Sequence, residues 1–367
     1  MIVKNEEHVI ERSLDSALPH VDTWCIVDTG STDSTIEKIY ATAKKHGKEG
    51  VLHERPWVNF GHNRTELLEL ARGTEASWFF MMDADDILMA DCLQGNKKPF
   101  EQQFGSEDAY TITFKRGSLT YRRPAIFNTK PWVFKGALHE YAHLDGAVIG
   151  NIETAWVDAR VEGARSKNPN KYRDDALALE AEFTTKSDSR TAFYCAQSWR
   201  DSGNSEKATE WYLRRAEMGG WNQEIYVSYL NLVRLTPDVN LKLKYAWLSL
   251  DACPRLEAVH AALEYFRQRN TWSSRAYYLG LAAANAVKQE QKKAPAVEAA
   301  KAVEAAKAAD LFAEPVEYKF YDEFSIHAFY TGHDDVAILH GMKAYFLAPL
   351  DERARILNNV NYSVERL

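Results

Sequence analysis

The chain has 367 residues, 46% hydrophobic and 26% charged, the composition of a folded protein of about two domains. Its formal net charge of −7 argues against a broadly basic nucleic-acid surface, though not against a local basic groove. The scattered cysteines Cys25, Cys92, Cys195 and Cys253 lack C-x-x-C spacing, no apolar run approaches the ~20 residues of a membrane span, and Lys4, Glu6 and Glu7 interrupt any signal-peptide core. The expected location is cytoplasmic.

Residues 1–165 alternate in character and are expected to form an α/β domain of Rossmann-like type. Met1–Val3 is a short apolar run. The stretch EEHVIERSLDSAL then places Val9, Ile10, Leu14, Ala17 and Leu18 on one helical face. TWCIVDTGSTDST reads as a buried strand ending at Asp28 and a turn at Gly30. DSTIEKIYATAKKHG reads as a helix with Asp33 or Ser34 as N-cap. GVLHERP is a short strand, GHNRTELLELARG a helix bounded by glycines, and SWFFMMDADD a buried strand. Strands alternating with helices predict a parallel sheet with crossover connections.

Beyond residue 170 strand signals vanish and helical patterns rich in Ala, Tyr and Trp take over. In the segment AFYCAQSWRDSGNSEKATEWYLRRAEMG, Ala192, Ala196, Trp199, Gly203, Ala208, Tyr212 and Ala216 match the spacing of a tetratricopeptide helix-turn-helix. FYTGHDDVAILHGMKAYFLAP repeats its second half, with Gly332, Ala337, Ala344 and Pro349. The expectation is an all-α tetratricopeptide-like repeat domain over 170–367, with an Ala/Lys/Glu-rich insertion near 286–310 acting as an exposed helix or spacer. The aromatics Tyr194, Trp199, Trp211 and Tyr212 read as repeat core. The array could hold a protein partner or mediate self-association.

Three expected strands end in acids: Glu6-Glu7, Asp28, and Asp83-Ala84-Asp85-Asp86. In open α/β sheets ligands bind beyond the carboxyl ends of the strands. Gathered carboxylates repel unless a divalent cation or ligand groups compensate, and hard oxygen donors suit Mg²⁺ or Mn²⁺. On an extended segment Asp83 and Asp85 point the same way. The alternative is a capping cluster for a helix starting near Ile87. The segment DTGSTDST lacks the glycine patterns of dinucleotide and P-loop enzymes.

TFKRGSLTYRRPAIFNTKPWVFK interleaves cations with aromatics. Arg122, Arg123 and Trp132 are its candidates for contacting an anionic or sugar acceptor, against the alternative of edge strands with a solvated charged face. GALHEYAHL offers His139, Glu140 and His143; the two histidines would share a face if helical, but H-E-x-x-H is absent, so a zinc protease is not supported.

MIVKNEE, VDTGSTDST, FGHNRTELLELARG and MMDADD come in the order and spacing of family 2 glycosyltransferases of GT-A fold. YRRPAIFN and WVFKGALHEYA resemble the subgroup carrying a G-x-[VIL]-H-E element, often with a tetratricopeptide-like carboxyl half. The resemblance implies a metal-dependent inverting hexosyltransferase that uses a nucleotide-sugar, expected to be a UDP-sugar, and Mn²⁺ or Mg²⁺. It implies that Val3, Lys4 and Glu6 lie against base and ribose, Asp28 bonds the base, Arg64 sits near base or diphosphate, and Asp83 lies near ribose and metal. Asp85 would coordinate the metal, with His139 a further metal or diphosphate contact. Glu140 is the candidate general base and Asp86 its rival. Family members carry several apolar residues ahead of the first strand, which is minimal here. The acceptor is expected to be a hydroxyl on a glycan, a peptide side chain or a modified nucleic-acid base. The competing readings are an inactive transferase-like scaffold, or a nucleotidyltransferase, which the lack of a glycine-rich, lysine-bearing loop disfavours.

Overall fold

The structure is a computed structural model that describes residues 1–90, 103–117, 119–293 and 314–367. The chain divides into two compact units, Met1–Leu179 and Glu180–Leu367. No helix among the described residues is long and apolar enough to cross a membrane.

The first unit opens with three parallel strands, β1 (Ile2–Val3), β2 (Trp24–Asp28) and β3 (Gly50–Glu54), with β2 in the middle. The crossovers are α1 (Ile10–Ala17) and α2 (Thr35–Lys45). The apolar stripe read from the sequence is the buried face of α1: Ile10, Leu14 and Leu18 pack with Val3, Ile26, Ile39 and Ala84. The N-cap of α2 is Ser34, but Asp33 does the capping: its Oδ1 accepts from the Thr35 amide at 3.0 Å. Helix α3 (Phe60–Ala71) starts at Asn59, whose side chain accepts from the His62 amide.

The sheet then changes partners. Strand β4 (Trp78–Phe80) joins a five-stranded sheet of order β4-β7-β6-β10-β5, with β5 (Ile87–Ala90), β6 (Ala109–Arg116), β7 (Leu119–Asn128) and β10 (Ile149–Asp158). Most of these pairs are antiparallel, so the wholly parallel sheet expected from the alternation holds only for β1–β3. A two-stranded ribbon, β8 (Val133–Lys135) and β9 (Tyr141–His143), completes the unit.

Two local expectations are corrected. Ile87 opens a strand rather than a helix: Leu88 is buried and Met89 exposed, the alternation of a half-covered strand, so Asp85 and Asp86 cap no helix there. His139 and His143 share no helical face either, because His139 adopts a positive φ of 52° in a turn and His143 lies in β9 opposite Val133.

A cavity of about 740 Å³ in this unit is lined by Leu18, Trp24, Leu68, Trp78 and Phe80; none of the candidate site residues lines it. It runs from the starting end of β2 along β4 to Met82 and stops short of the acids that follow.

The second unit is all helical among its described residues. Helix α4 (Lys171–Lys186) spans the division between units. Then follow α5 (Ser189–Asp201), α6 (Ser205–Glu217), α7 (Asn222–Leu235), α8 (Val239–Ala252), α9 (Glu257–Gln268), α10 (Ser274–Lys293), α11 (Glu317–Tyr330), α12 (Asp334–Leu347) and α13 (Leu350–Val364). Gly203 (φ 82°) and Gly332 (φ 80°) make the tight turns α5–α6 and α11–α12, where a left-handed backbone favours glycine. Ala192, Ala196, Ala208 and Tyr212 are fully buried in the first hairpin. Trp199 and Trp211 both donate to Glu180 Oε1 at 2.9 Å, so these aromatics are core. Most of the Ala/Lys/Glu-rich stretch lies outside the described residues.

Candidate active site

The tips of β1 and β2 are laced together. Val3 faces Asp28 in register, and the Thr29 amide and hydroxyl both donate to the Val3 carbonyl. Asn5, in left-handed conformation, turns the chain; its amide donates to Ser31 Oγ and its Oδ1 accepts from Thr32 N. The Glu6 amide donates to Thr35 Oγ1, and Glu7 accepts from Ser34 N. Lys4 stays exposed on the rim.

Asp28 is 1% exposed. Its Oδ2 accepts from the Gly30 and Ser31 amides at 2.9 Å, while Oδ1 is buried without a partner. Because buried polar atoms are nearly always bonded, this oxygen is suited to a ligand donor.

Past β4 the chain turns tightly, Asp86 N donating to Asp83 O, and three carboxylates diverge. Asp83 is gripped from both sides: Arg64 of α3 donates to Oδ1 at 2.6 Å and Arg123 of β7 to Oδ2 at 3.1 Å. Burial opposes its ionisation, but the two guanidiniums outweigh that and hold its carboxyl well below the usual range. Asp86 lies 3.8 Å from Arg123 and is 3% exposed; burial, then the Asp83 charge, pushes it up to about 7. Asp85 turns the other way. Its Oδ2 accepts from the amides of Glu162 and Gly163, both at 2.9 Å, and the neighbouring Glu6 carboxylate accepts from Ala164 N. Burial raises the Glu6 pKa, the Ala164 bond opposing it and the Asp85 charge adding to it.

Glu140 reaches this cluster because α3 and the β8–β9 turn pack backbone to backbone. A Cβ on Gly61 would lie 2.3 Å from Gly136 O, and Phe60 N donates to Ala137 O. Glu140 Oε1 then sits 2.8 Å from Arg64 Nε as an ion pair, though not aligned as a hydrogen bond. Glu140, Arg64, Asp83, Arg123 and Asp86 thus form one alternating run of charge. His139 lies in the adjacent turn.

Two expected acceptor contacts fall elsewhere. Arg122 points to the opposite face of β7, bonded to Glu153, Thr111 and the Ile152 carbonyl. Trp132 is 2% exposed, packed on Phe127 with its Nε1 on Asn128. Arg123 is stacked over Phe114 and belongs to the acidic cluster. Sequence reasoning missed the Glu162–Ala164 amides, because a backbone donor leaves no side-chain signature; a glycine soon after β10 is the one trace.

Among the described residues no three His, Cys, Asp or Glu side chains are grouped to enclose a metal. The donors nevertheless fit a cation that a diphosphate completes. Asp85 keeps Oδ1 free of described bonds, Glu6 stands beside it, and Mg²⁺ typically takes one or two carboxylates plus phosphate oxygens and water. Asp83 is committed to its two arginines.

Residues 1–149 match the family model described as Glycosyl transferase family 2. Among solved structures, residues 1–349 of S. aureus TarS in complex with UDP-GlcNAc align at 14% identity and TM-score 0.37, covering 74% of this chain and 91% of that one. TarS 1–349 in its uncomplexed structure aligns at 12% identity and TM-score 0.35, covering 74% and 90%. No curated protein matches the chain.

Proposed function

We propose that this chain, whose residues 1–149 form a glycosyltransferase domain of family 2, moves a sugar from a UDP-sugar to a hydroxyl acceptor by one in-line displacement with inversion, assisted by Mn²⁺ or Mg²⁺. The observation that carries the donor assignment is the buried, unpartnered Oδ1 of Asp28 at the tip of β2, which suits an N–H on the edge of a base such as uracil.

In this reading the chain's residues divide the work. Val3 and the Lys4–Glu6 turn line the base and ribose, and Asp28 receives the base N–H. Arg64 and Arg123 hold Asp83 ionised against burial and bring positive charge to the side where a diphosphate would depart. Asp85, with Glu6 beside it, would hold the cation, whose chemistry is to stabilise charge developing on the leaving diphosphate; His139, in the turn next to Glu140, is read as a diphosphate contact. Direct displacement needs one base and no covalent enzyme intermediate. Glu140 and Asp86 are the two candidates, each tied to one of the arginines. The helical unit is read as a tetratricopeptide-like array that meets a protein acceptor or a second copy.

The test is UDP release from a panel of UDP-sugars with glycan, peptide and modified-base acceptors, with and without Mn²⁺. Turnover that tracks one donor and needs the cation supports the reading. Binding of UDP with no turnover on any pairing would make the domain a scaffold, and release of pyrophosphate would make it a nucleotidyltransferase.

A further inference from the structure

The amides that bond the carboxylates of Asp85 and Glu6 lie beyond the stretch matched to the family, at Glu162–Ala164 just after β10. Three consecutive peptide N–H groups, of Glu162, Gly163 and Ala164, converge on the two carboxylates. Successive amides of this kind make a concave anion-binding nest. The turn is pinned from its other side. The Glu162 carbonyl lies 2.7 Å from His8 Nε2, and the Glu162 carboxylate pairs with Arg12 at 2.6 Å and with Arg160 at 3.3 Å. Gly163 suits the close approach: a Cβ there would come within 3.3 Å of Glu6 Oε1 and 3.4 Å of Asp85 Oδ2.

We propose that the Glu162–Ala164 turn is a positioning element of the donor site, locked by Arg12 and His8, which fixes Asp85 and Glu6 so that Asp85 Oδ1 is presented to the cation-binding side. The inference rests on the donor-site reading above. Two amides on one oxygen orient the carboxylate plane and leave the other oxygen in a single place. They also lower the cost of holding two carboxylates close together before any cation arrives. Partners that orient a metal ligand typically change metal affinity by about 10–100-fold when lost.

Gly163 has φ −61° and ψ 161°, which proline can adopt, so Gly163→Pro keeps a compatible backbone angle while it deletes one amide donor and sets a ring carbon against Asp85 Oδ2, displacing that carboxylate. Arg12→Gln removes the pin on the turn together with the 3.5 Å bond from Arg12 to the Asp85 carbonyl, and leaves both carboxylates and all three amides in the chain. The measurements are Mn²⁺ affinity and, separately, cation-free UDP affinity by titration calorimetry, the melting temperature, and donor KM against kcat. The expected result for Gly163→Pro is Mn²⁺ affinity down about tenfold and donor KM up. Cation-free UDP affinity should fall by less than Mn²⁺ affinity, since Glu6 is the one of the two carboxylates read against the ribose, and the melting temperature should stay within about 2 °C. Arg12→Gln should lose about threefold in the same direction, and it decides alone if Gly163→Pro melts early. Gly163→Ala, which keeps the N–H, should lose less than Gly163→Pro. Equal losses in those two glycine variants, or unchanged Mn²⁺ affinity in Arg12→Gln and Gly163→Pro, would overturn the positioning role while leaving the donor site standing. A wild-type protein that binds neither UDP nor Mn²⁺ would overturn both.

Discussion

Buried charge is handled differently in the two units. In the helical unit each buried carboxylate that faces a guanidinium has one of its own, although Asp322, paired with Arg355 through Oδ2, also keeps an unpartnered Oδ1. Arg215, fully buried, faces Glu224 at 2.8 Å, Arg255 faces Glu257 at 2.7 Å, and Glu257 also takes the Tyr226 hydroxyl. In the α/β unit the pairing is uneven. Asp83 has two guanidiniums, Asp86 one at a distance, Asp85 is held by backbone amides, and Asp28 keeps an orphan oxygen. Matched pairs complete a structure; unmatched groups held in place leave capacity for a ligand.

The comparison breaks most sharply at its structural end. Arg215→Ala leaves Glu224 buried without its cation, and removing one partner of a buried pair costs about 3–5 kcal/mol. Urea denaturation should show that loss, while donor KM and kcat measured on the folded protein stay as in wild type. A comparable change in turnover would mean that this pair serves the active site, and the contrast would fail.

Asp85→Ala should do the reverse. With the cation ligand gone, UDP release should fall about a hundredfold or more, with the melting temperature within about 2 °C of wild type. Activity within threefold of wild type would remove Asp85 from the proposed chemistry.

Asp28→Asn tests the orphan oxygen. Asn can still accept from the Gly30 and Ser31 amides through its carbonyl, but it presents an NH₂ where the free carboxylate oxygen stood. The expected outcome is UDP affinity reduced about tenfold or more, since a donor facing a donor leaves both unpaired, with little change in Mn²⁺ affinity. Equal binding of UDP by the variant would show that this oxygen meets no base.

These residues also show what could be read in advance. The stripe Ile10, Leu14, Leu18 and the glycine turns at 203 and 332 were legible because periodicity and left-handed backbone write themselves into residue type. The acids at three strand tips were legible too, since polar residues ending apolar runs need a reason. What each acid is bonded to was not. The partners of Asp83 come from positions 64 and 123 and those of Asp85 from 162 and 163, and only the packing of α3, β7 and the turn after β10 brings them together. The short antiparallel strands were missed for a related reason: Ile87–Ala90 and Tyr141–His143 are too brief for a period to declare itself.

The smallest expected effect concerns Asp86. Its carboxyl is raised from an ordinary 3.8 to about 7, by burial first and then by Asp83. A raised folded-state pKa means the native protein holds a proton that the unfolded chain has already released between about 4 and about 7. Its contribution to stability is therefore fully present below the lower value and is lost as pH rises through the upper one. Glu6, also raised, acts in the same sense. Asp83, held low, is ionised in both states across that window and matters only below it. His327, pushed down to about 4 by burial, His260 and His340, also lowered, and the Met1 amine, pushed down to about 6, act in the opposite sense, so the Asp86 contribution is read as a difference: from pH 5 to pH 7.5 Asp86→Asn, permanently neutral, should gain in urea midpoint relative to wild type and be the more stable of the two at the upper end. An identical slope in both proteins would mean that Arg123, 3.8 Å away, already keeps Asp86 ionised, and that the two acids beside it share their charge as an ordinary structural cluster does.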